Sequence, residues 1–344
     1  YGLNVRERQR AEINPMQYGT IVHYILERFF GEYTKEEYLS LEEDKFQKIV
    51  CAYLAEYAVK YFGEEQLESN SFTYRLKTIL DNVMYLMKHI MEELSQSEFF
   101  VADCELKIGE DIPSYTIVLP DGHKIAVCGS VDRVDIMQRA DITYLRIIDY
   151  KTGTKQFKLS DILYGINLQM LLYLHSIEAS GGDKYGEIVP AGILYMPATV
   201  PYISSDSLKS IDKLPDELNK KLKMNGLLLK DTEIIHGMDK TDAATYIPVK
   251  IKAGEPVSST SLATLAEFGK IFKKVDMLIA EMGKNIYNGN IEAKPLKGGH
   301  DSCEYCPYDS VCAYRQSNPI TCFSVDNKTV IEEITNEING KEEE

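Results

Sequence analysis

The apolar residues of this chain change their spacing near residue 99. Before that point they recur every three or four residues, as in the segment NPMQYGTIVHYILERFF that begins at Asn14, which is typical of amphipathic helices. After it, short runs rich in β-branched and aromatic residues indicate strands, and Asp121-Gly122 between two of them predicts a hairpin turn. The segment HKIAVCGSVDRVDIM is predicted as one of these strands. An apolar helix, DILYGINLQMLLYLHSIEA, is then predicted before one more buried strand, AGILYMP. The spacing predicts an α/β fold with helices first, then three or four strands, a helix and a strand.

No linker rich in Pro, Gly and Ser interrupts the chain, so we predict one domain over residues 1–324, followed by an acidic tail, 325–344. We divide this domain into a helical part (1–98), a catalytic core (99–200), an insertion (201–257) and a C-terminal helix with a cysteine segment (258–324). The fold class is thus an α/β core with added N-terminal helices and a C-terminal helical, cysteine-bearing segment.

The charge balance limits the kinds of partner that the chain can bind by itself. Its 344 residues contain 38 Lys and Arg against 53 Asp and Glu, which gives a net charge of −15. Proteins that bind DNA tightly on their own are usually basic. The balance still allows a catalytic site that receives nucleic acid from a partner. We expect no membrane segment, because no apolar run approaches about 18 residues, and the irregular spacing of the cysteines indicates a reducing, cytoplasmic location.

The segment IIDYKTG places an acid and a lysine two residues apart where an apolar strand opens into a glycine turn. Asp149 and Lys151 share one face of the strand, because strand side chains alternate. An isolated pair of this kind is usually a surface ion pair. Asp132, in the preceding strand segment GSVDRVD, would lie beside Asp149 in a hairpin of the two strands. Two adjacent carboxylates repel each other unless a divalent cation lies between them.

These residues predict a magnesium or manganese site with catalytic function. Asp132, Asp149 and the main-chain carbonyl of Tyr150 would hold the ion. Lys151 would orient or help to deprotonate the attacking water, or neutralise charge that builds up on a phosphate.

The two motifs, followed by Gln169 and Tyr173 at a spacing of four, resemble those of the PD-(D/E)XK nucleases of the RecB branch. That family has a restriction-endonuclease-like αβββαβ core, which matches the predicted order. The resemblance implies that His23 in GTIVH is a further metal ligand and that Glu105 in DCELKI matches a glutamate of the first core strand. It also implies that Gln169 and Tyr173 support the active site or the DNA strand. By residue type alone, His23, Glu105 and Tyr173 are equally compatible with packing roles.

The segment DSCEYCPYDSVC contains three cysteines at metal-ligand spacing, Cys303, Cys306 and Cys312. Such a clip suits zinc or an iron–sulfur cluster, which normally take four ligands, although reduced structural cysteines are the alternative. The pattern resembles the C-terminal cluster of RecB-type nucleases, in particular AddB-like subunits of AddAB helicase–nucleases. There a cysteine just upstream of a stretch like YGL completes a [4Fe–4S] cluster. This chain begins with Tyr1-Gly2-Leu3, so we expect an incomplete cluster here.

The resemblance implies a Mg²⁺-dependent DNA exonuclease domain of a helicase–nuclease that acts in double-strand break repair and recombination. Its implied partners are DNA, a helicase–nuclease partner subunit and a helicase-like region upstream in the same parent protein. The chain itself contains no G-x-x-x-x-G-K-[ST] segment for ATP. Two alternatives are a CRISPR-associated RecB-type exonuclease and a decayed module that only holds DNA or a partner. Intact Asp132, Asp149 and Lys151 argue against decay.

Overall fold

The computed structural model of the protein describes residues 13–153, 155–201, 214–241, 244–258, 260–304, 306–308, 310–312 and 319–342. The YGL start therefore lies outside the described residues. The helices are α1 (Pro15–Glu32), α2 (Lys35–Leu39), α3 (Glu43–Phe62), α4 (Glu64–Leu67), α5 (Asn70–Gln96), a 3₁₀ helix (Leu159–Tyr164), α6 (Gln169–Ser180), α7 (Gly182–Tyr185), α8 (Leu214–Leu222), α9 (Thr232–Met238), α10 (Leu265–Tyr287) and α11 (Asn327–Glu342). No helix in these ranges is long and apolar enough to cross a membrane.

The strands form one central sheet and three small ribbons. In chain order they are β1 (Phe100–Ile108), β2 (Tyr115–Val118), β3 (Lys124–Val127), β4 (Gly129–Arg139), β5 (Ile142–Lys151), β6 (Glu187–Pro197), β7 (Asn225–Leu229), β8 (Lys250–Lys252), β9 (Glu255–Val257), β10 (Leu262–Ala263), β11 (Leu296–Gly298) and β12 (Ile320–Cys322). The central sheet has six strands in the order β1-β4-β5-β6-β7-β10. The predicted αβββαβ order is confirmed as α1, β1, β4, β5, α6 and β6.

The pairing within the sheet changes direction at β5. Strand β4 pairs antiparallel with β1 on one side and with β5 on the other, and the pairing with β5 is the one that the sequence predicted. Strand β6 runs parallel to β5, because α6 carries the chain back across the sheet between them. This crossover leaves the C-terminal end of β5, with Asp149 and Lys151, next to the C-terminal end of β6.

Two predicted elements are divided in the structure. The segment HKIAVCGSVDRVDIM, predicted as one strand, breaks at Cys128 into β3 and β4, and β3 pairs with β2 outside the central sheet. The turn between β2 and β3 is the predicted one, with Gly122 at a φ of 86°. The predicted helix DILYGINLQMLLYLHSIEA begins only at Gln169, because Gly165 and Asn167 adopt left-handed backbone conformations with φ of 69° and 54°. Left-handed residues cannot continue a right-handed helix.

Two segments that follow the catalytic core in the chain also pack onto it. Strand β7, in the region predicted as an insertion, extends the central sheet by pairing with β6. The acidic C-terminal segment forms α11, whose residues Val330, Ile334 and Ile338 are buried and belong to the main hydrophobic core. This helix is amphipathic, so its acidic composition does not leave it free in solvent.

A fully buried group of four charged side chains joins α5 to the sheet. Arg133 and Asp135 on β4, Arg146 on β5 and Glu93 on α5 are each 0% exposed. Arg133 Nη2 lies 2.7 Å from Asp135 and 3.2 Å from Glu93. Arg146 Nη2 lies 2.6 Å from Glu93 and 2.8 Å from Asp135. Burial opposes ionisation of Asp135, but the charges and hydrogen bonds of the two arginines keep its pKa below the usual value.

We predict that Arg146→Met lowers the free energy of unfolding by about 3–5 kcal/mol, because it leaves two buried carboxylates short of a partner. The matched control is Arg139→Met, since Arg139 pairs with Glu98 at the surface and is half exposed. An exposed pair contributes about 0–1 kcal/mol. Urea unfolding of both variants measures the difference. Equal losses below about 1 kcal/mol would show that the buried network does not stabilise the sheet.

Candidate active site

The ends of β4 and β5 bring the two predicted aspartates to adjoining positions. The strands are antiparallel, with Arg133 opposite Ile148. Asp132 precedes Arg133 and Asp149 follows Ile148, so the two aspartates occupy the next position along this pair of strands. The backbone N–H of Tyr150 donates a hydrogen bond of 2.9 Å to Asp132 Oδ2. This bond fixes one carboxylate oxygen of Asp132 against the backbone of β5.

His23, on the third turn of α1, lies at the centre of a three-residue group. Its Nδ1 is 3.2 Å from Glu105 Oε1, and its Nε2 is 3.7 Å from Asp132 Oδ2. The ring also packs edge-on against Tyr150, with centroids 5.6 Å apart. One ligand atom from each of His23, Glu105 and Asp132 lies within 4.8 Å of the others. Among the described residues, this is the group of His, Cys, Asp and Glu side chains whose spacing could hold a metal ion.

The donor types of this group suit a divalent cation. Carboxylate oxygens are the ligands that Mg²⁺ and Mn²⁺ prefer, and imidazole is acceptable to Mn²⁺. The backbone of Tyr150 lies close enough to the His23 ring to contribute to its raised pKa, so the main chain of β5 is at the same point. Of the four predicted ligands, His23 and Asp132 are brought together beside the backbone of Tyr150, Asp149 lies next to them, and Glu105 joins His23 and Asp132.

Glu105 reaches His23 through a strained backbone. Its φ is 51°, a left-handed conformation that costs a residue with a side chain roughly 1–3 kcal/mol. The Ser130 hydroxyl donates a hydrogen bond of 2.9 Å to Glu105 Oε2 and holds the carboxylate in place. Nothing in the sequence pointed to Ser130. Its role depends on the pairing of β1 with β4, which only the fold provides.

The pKa values of this group are strongly displaced from their ordinary values. Burial, with help from the charges of Asp149 and Glu105, raises the pKa of Asp132 to about 6, against the opposing effect of His23. Burial also disfavours the charged form of His23, but Glu105 and Asp132 outweigh it and raise the histidine pKa. The hydrogen bond from His23 lowers the pKa of Glu105. A group that concentrates negative charge in this way attracts a cation.

Asp149 and Lys151 form an ion pair beside this group. Lys151 Nζ lies 2.5 Å from Asp149 Oδ2, and Asp149 is only 6% exposed. The sequence predicted that they share one face of β5, and this contact agrees. Asp149 is adjacent to the close group of His23, Glu105 and Asp132 and is not a member of it. In this arrangement the Asp149 carboxylate holds the ammonium group of Lys151.

Gln169 and Tyr173 lie at the start of β4 rather than in the close group. Gln169 is the first residue of α6, and its Nε2 donates a long hydrogen bond of 3.4 Å to the Tyr173 hydroxyl. The Tyr173 hydroxyl packs so closely on Gly129 that a Cβ at that position would lie 2.1 Å from it. The glycine that opens the motif GSVDRVD is therefore required by Tyr173, which in turn fixes the strand that carries Asp132.

The three predicted cysteine ligands lie in a turn-rich segment near β11 and β12. The backbone N–H of Cys306 donates to the carbonyl of Cys303 at 3.3 Å, and that of Cys303 donates to Asp301 Oδ1 at 2.8 Å. Within the ranges that the structure describes, their sulfur atoms, including that of Cys312, are not drawn into one ligand group. The three cysteines therefore do not form a complete set of four metal ligands by themselves.

A surface cleft of about 690 Å³ opens above the close group. His23, Glu105 and Tyr150 line it, and Lys151 lies on one side. Charged, polar and aromatic side chains line this cleft together. The geometry therefore supports chemistry on a substrate that enters from solvent at the ends of β4 and β5.

Comparison with known proteins agrees with this geometry. A profile of the PD-(D/E)XK nuclease superfamily matches residues 1–313. The B subunit of the ATP-dependent helicase/deoxyribonuclease from Thermoanaerobacter sp. (strain X514) is 34% identical over an alignment of 326 positions, which covers 91% of this chain and 28% of that protein. The protein of the same name from Clostridium kluyveri (strain NBRC 12016) is 33% identical over 361 positions, covering 100% of this chain and 31% of its own length.

A third relative of that name, from Alkaliphilus oremlandii (strain OhILAs), is 32% identical and is covered over 30% of its length. The chain thus spans about three-tenths of the relatives that it matches. The family profile, by contrast, covers nearly the whole chain, including the motifs that carry the close group and the Asp149–Lys151 pair. On this evidence the chain belongs to the PD-(D/E)XK nuclease superfamily.

Proposed function

We propose that this chain is a metal-dependent deoxyribonuclease domain that hydrolyses phosphodiester bonds in DNA with Mg²⁺ or Mn²⁺. The observation that carries the proposal is the convergence of His23, Glu105 and Asp132, whose ligand atoms lie within 4.8 Å of one another, with His23 and Glu105 lining a surface cleft. The Asp149–Lys151 pair at the same strand ends supports it. Three metal-ligand side chains and a positioned ammonium match the needs of phosphodiester hydrolysis better than those of a passive binding surface.

Each side chain has a defined task in this proposal. A bound divalent cation would polarise a phosphoryl oxygen and lower the pKa of a coordinated water. His23, Glu105 and Asp132 would hold the cation, and Asp149 would complete its surroundings. The N–H of Tyr150 orients Asp132, and the Ser130 hydroxyl orients Glu105. Lys151, fixed by Asp149, would stabilise charge on the phosphate or orient the attacking water.

We further propose that the domain works within a cytoplasmic helicase–nuclease that takes part in double-strand break repair and recombination, as an exonuclease. The names of the relatives, which join helicase and deoxyribonuclease, support this role. A helicase-like region elsewhere in the parent protein and a partner subunit would deliver the DNA. Delivery would also compensate for the net charge of −15, which opposes spontaneous DNA binding.

For the cysteine segment we propose a structural [4Fe–4S] cluster in the parent protein. Cys303, Cys306 and Cys312 would supply three ligands and a cysteine outside this chain the fourth. The spacing of the three cysteines supports the proposal. No catalytic step depends on it.

We expect Lys151→Ala to slow DNA cleavage at least about 100-fold while the protein remains folded, because a positioned charge that stabilises the transition state is lost. Single-turnover cleavage of end-labelled DNA with Mg²⁺ or Mn²⁺ measures the effect. Lys252→Ala, an exposed lysine on β8, is the matched control and should cut normally. Undiminished cleavage by Lys151→Ala would remove Lys151 from the mechanism. A wild-type protein that binds DNA but never cuts it would favour the decayed binding module.

We also expect Mn²⁺ to bind more weakly as the pH falls from about 7.5 to 5.5. Asp132 and His23 must lose their protons to act as ligands, and both have raised pKa values, that of Asp132 being about 6. Protons therefore compete with the metal through this range, and binding should release protons. Isothermal titration calorimetry in two buffers of different ionisation enthalpy measures both effects. Asp121→Asn, in an exposed loop, serves as the control. Affinity that does not change with pH would contradict the assigned ligands.

A further inference from the structure

Three lysines line the cleft beside the close group: Lys107, Lys151 and Lys155. Two of them already have a carboxylate partner. Lys151 Nζ lies 2.5 Å from Asp149 Oδ2, and Lys107 Nζ lies 3.2 Å from Glu110 Oε2. Among the described residues, no carboxylate oxygen lies within 4.0 Å of the Lys155 ammonium group. The charge of Lys155 is therefore the one of the three that no such neighbour offsets.

A buried tyrosine on β6 contacts the ammonium groups of both Lys151 and Lys155. Tyr195 is 3% exposed and is the partner of Asp149 in the pairing of β5 with β6. The ammonium groups of Lys151 and Lys155 lie 5.7 Å and 5.0 Å from the centre of its ring. The face of an aromatic ring attracts a cation. Tyr195 therefore contributes to the positions of both ammonium groups.

Asn225 on β7 fixes the backbone on which Lys155 lies. Its Nδ2 donates a hydrogen bond of 3.2 Å to the carbonyl of Lys155, and its Oδ1 accepts one of 2.7 Å from the N–H of Phe157. Asn225 lies opposite Tyr195 in the antiparallel pairing of β6 with β7. Two paired residues of the sheet thus hold the side chain and the main chain of Lys155. A lysine that served only solubility would need neither.

The surroundings of Lys155 favour the arrival of an anion. Burial, followed by repulsion from Lys151, lowers the pKa of Lys155, and attraction to Asp149 and Asp161 only partly offsets this. An ammonium group whose charge is disfavoured in this way gains when a negative group binds beside it. In DNA the negative groups are the phosphates of the backbone.

We propose that Lys155 binds a phosphate of the DNA next to the phosphate at the metal site, and that Tyr195 and Asn225 are positioning residues for it. The proposal rests on the proposed nuclease function and adds a substrate-binding residue to it. Lys151, held by Asp149, serves the phosphate at the metal site, whereas Lys155 is available to a neighbouring one. Such a contact fixes the register of the DNA and does not depend on base sequence.

The first test measures DNA binding with metal chelated, so that nothing is cut. The probe is a fluorescein-labelled DNA hairpin with a single-stranded tail, which offers both paired and unpaired DNA. Lys155→Met should weaken binding about 10-fold at low salt and reduce the slope of log Kd against log salt concentration by about 1, because one phosphate contact is lost. Lys158→Met is the matched control. Lys158 is an exposed lysine three residues further on that does not line the cleft, so its loss should change neither value.

Neutral methylphosphonate linkages identify the contact directly. Placed one at a time along the probe, a neutral linkage should weaken binding of the unaltered protein where it replaces a phosphate that Lys155 contacts. Lys155→Met should be insensitive to neutral linkages at those positions, because the contact is already absent. A merely structural role of Lys155 would leave the pattern of sensitive linkages unchanged. Equal salt slopes of the two proteins, or the same response of both to every linkage, would overturn the proposal.

The positioning residues are tested by combining variants. Asn225→Ala should weaken binding about 3-fold by itself and add nothing to Lys155→Met, because it acts through Lys155. A purely structural effect would lower the affinity in both backgrounds and would remove Asn225 from the proposal. Tyr195→Phe keeps the ring that the ammonium groups contact and should retain the salt slope, whereas Tyr195→Leu should lower it. Equal slopes for Tyr195→Phe and Tyr195→Leu would remove Tyr195.

Failure of this proposal can be told apart from failure of the proposed function. A protein that cuts DNA with Mg²⁺ or Mn²⁺ but binds the probe with the same salt slope as its Lys155→Met variant keeps the nuclease and loses the role of Lys155. A protein that shows the Lys155-dependent slope and linkage pattern but no cleavage keeps the phosphate contact and loses the nuclease.

Discussion

The buried charges of Arg133, Asp135, Arg146 and Glu93 connect the N-terminal helices to the sheet. All four are fully removed from solvent, so each depends on the others to offset its desolvation. The Arg133 guanidinium also lies 3.4 Å from the hydroxyl of Tyr150. Because Arg133 follows Asp132 and Tyr150 follows Asp149, the same contacts that join α5 to the sheet also fix the strand ends. The geometry of the candidate site therefore depends on four buried charged side chains that do not line the cleft.

The close group concentrates negative charge in a protein that is already acidic. Asp132 and Glu105 both contact His23, and the pKa of Asp132 is raised to about 6. Such repulsion costs stability in the absence of a cation and favours its binding. Lys107, Lys151 and Lys155 line the same cleft. The proposed metal site and the proposed substrate site therefore lie together.

Two local backbone features near the close group position its side chains. Glu105 adopts a left-handed φ of 51°, which turns its carboxylate towards His23 and Ser130. Gly129 leaves room for the Tyr173 hydroxyl, which a Cβ would meet at 2.1 Å. Strain and close contact of this kind persist only where the surrounding structure holds them. The buried network and the sheet provide that support.

The sequence alone determined the α/β order, the pairing of the strands that carry Asp132 and Asp149, and the shared face of Asp149 and Lys151, because these follow from local periodicity and turn residues. Only the tertiary structure decided that Glu105, rather than Asp149, joins His23 and Asp132 in the close group. It also decided that Arg133 and Asp135 face a buried partner from α5 and that three tyrosines from α1 and α3 line the cleft. These outcomes depend on distances between segments far apart in the chain and on one left-handed residue, and no local pattern encodes either.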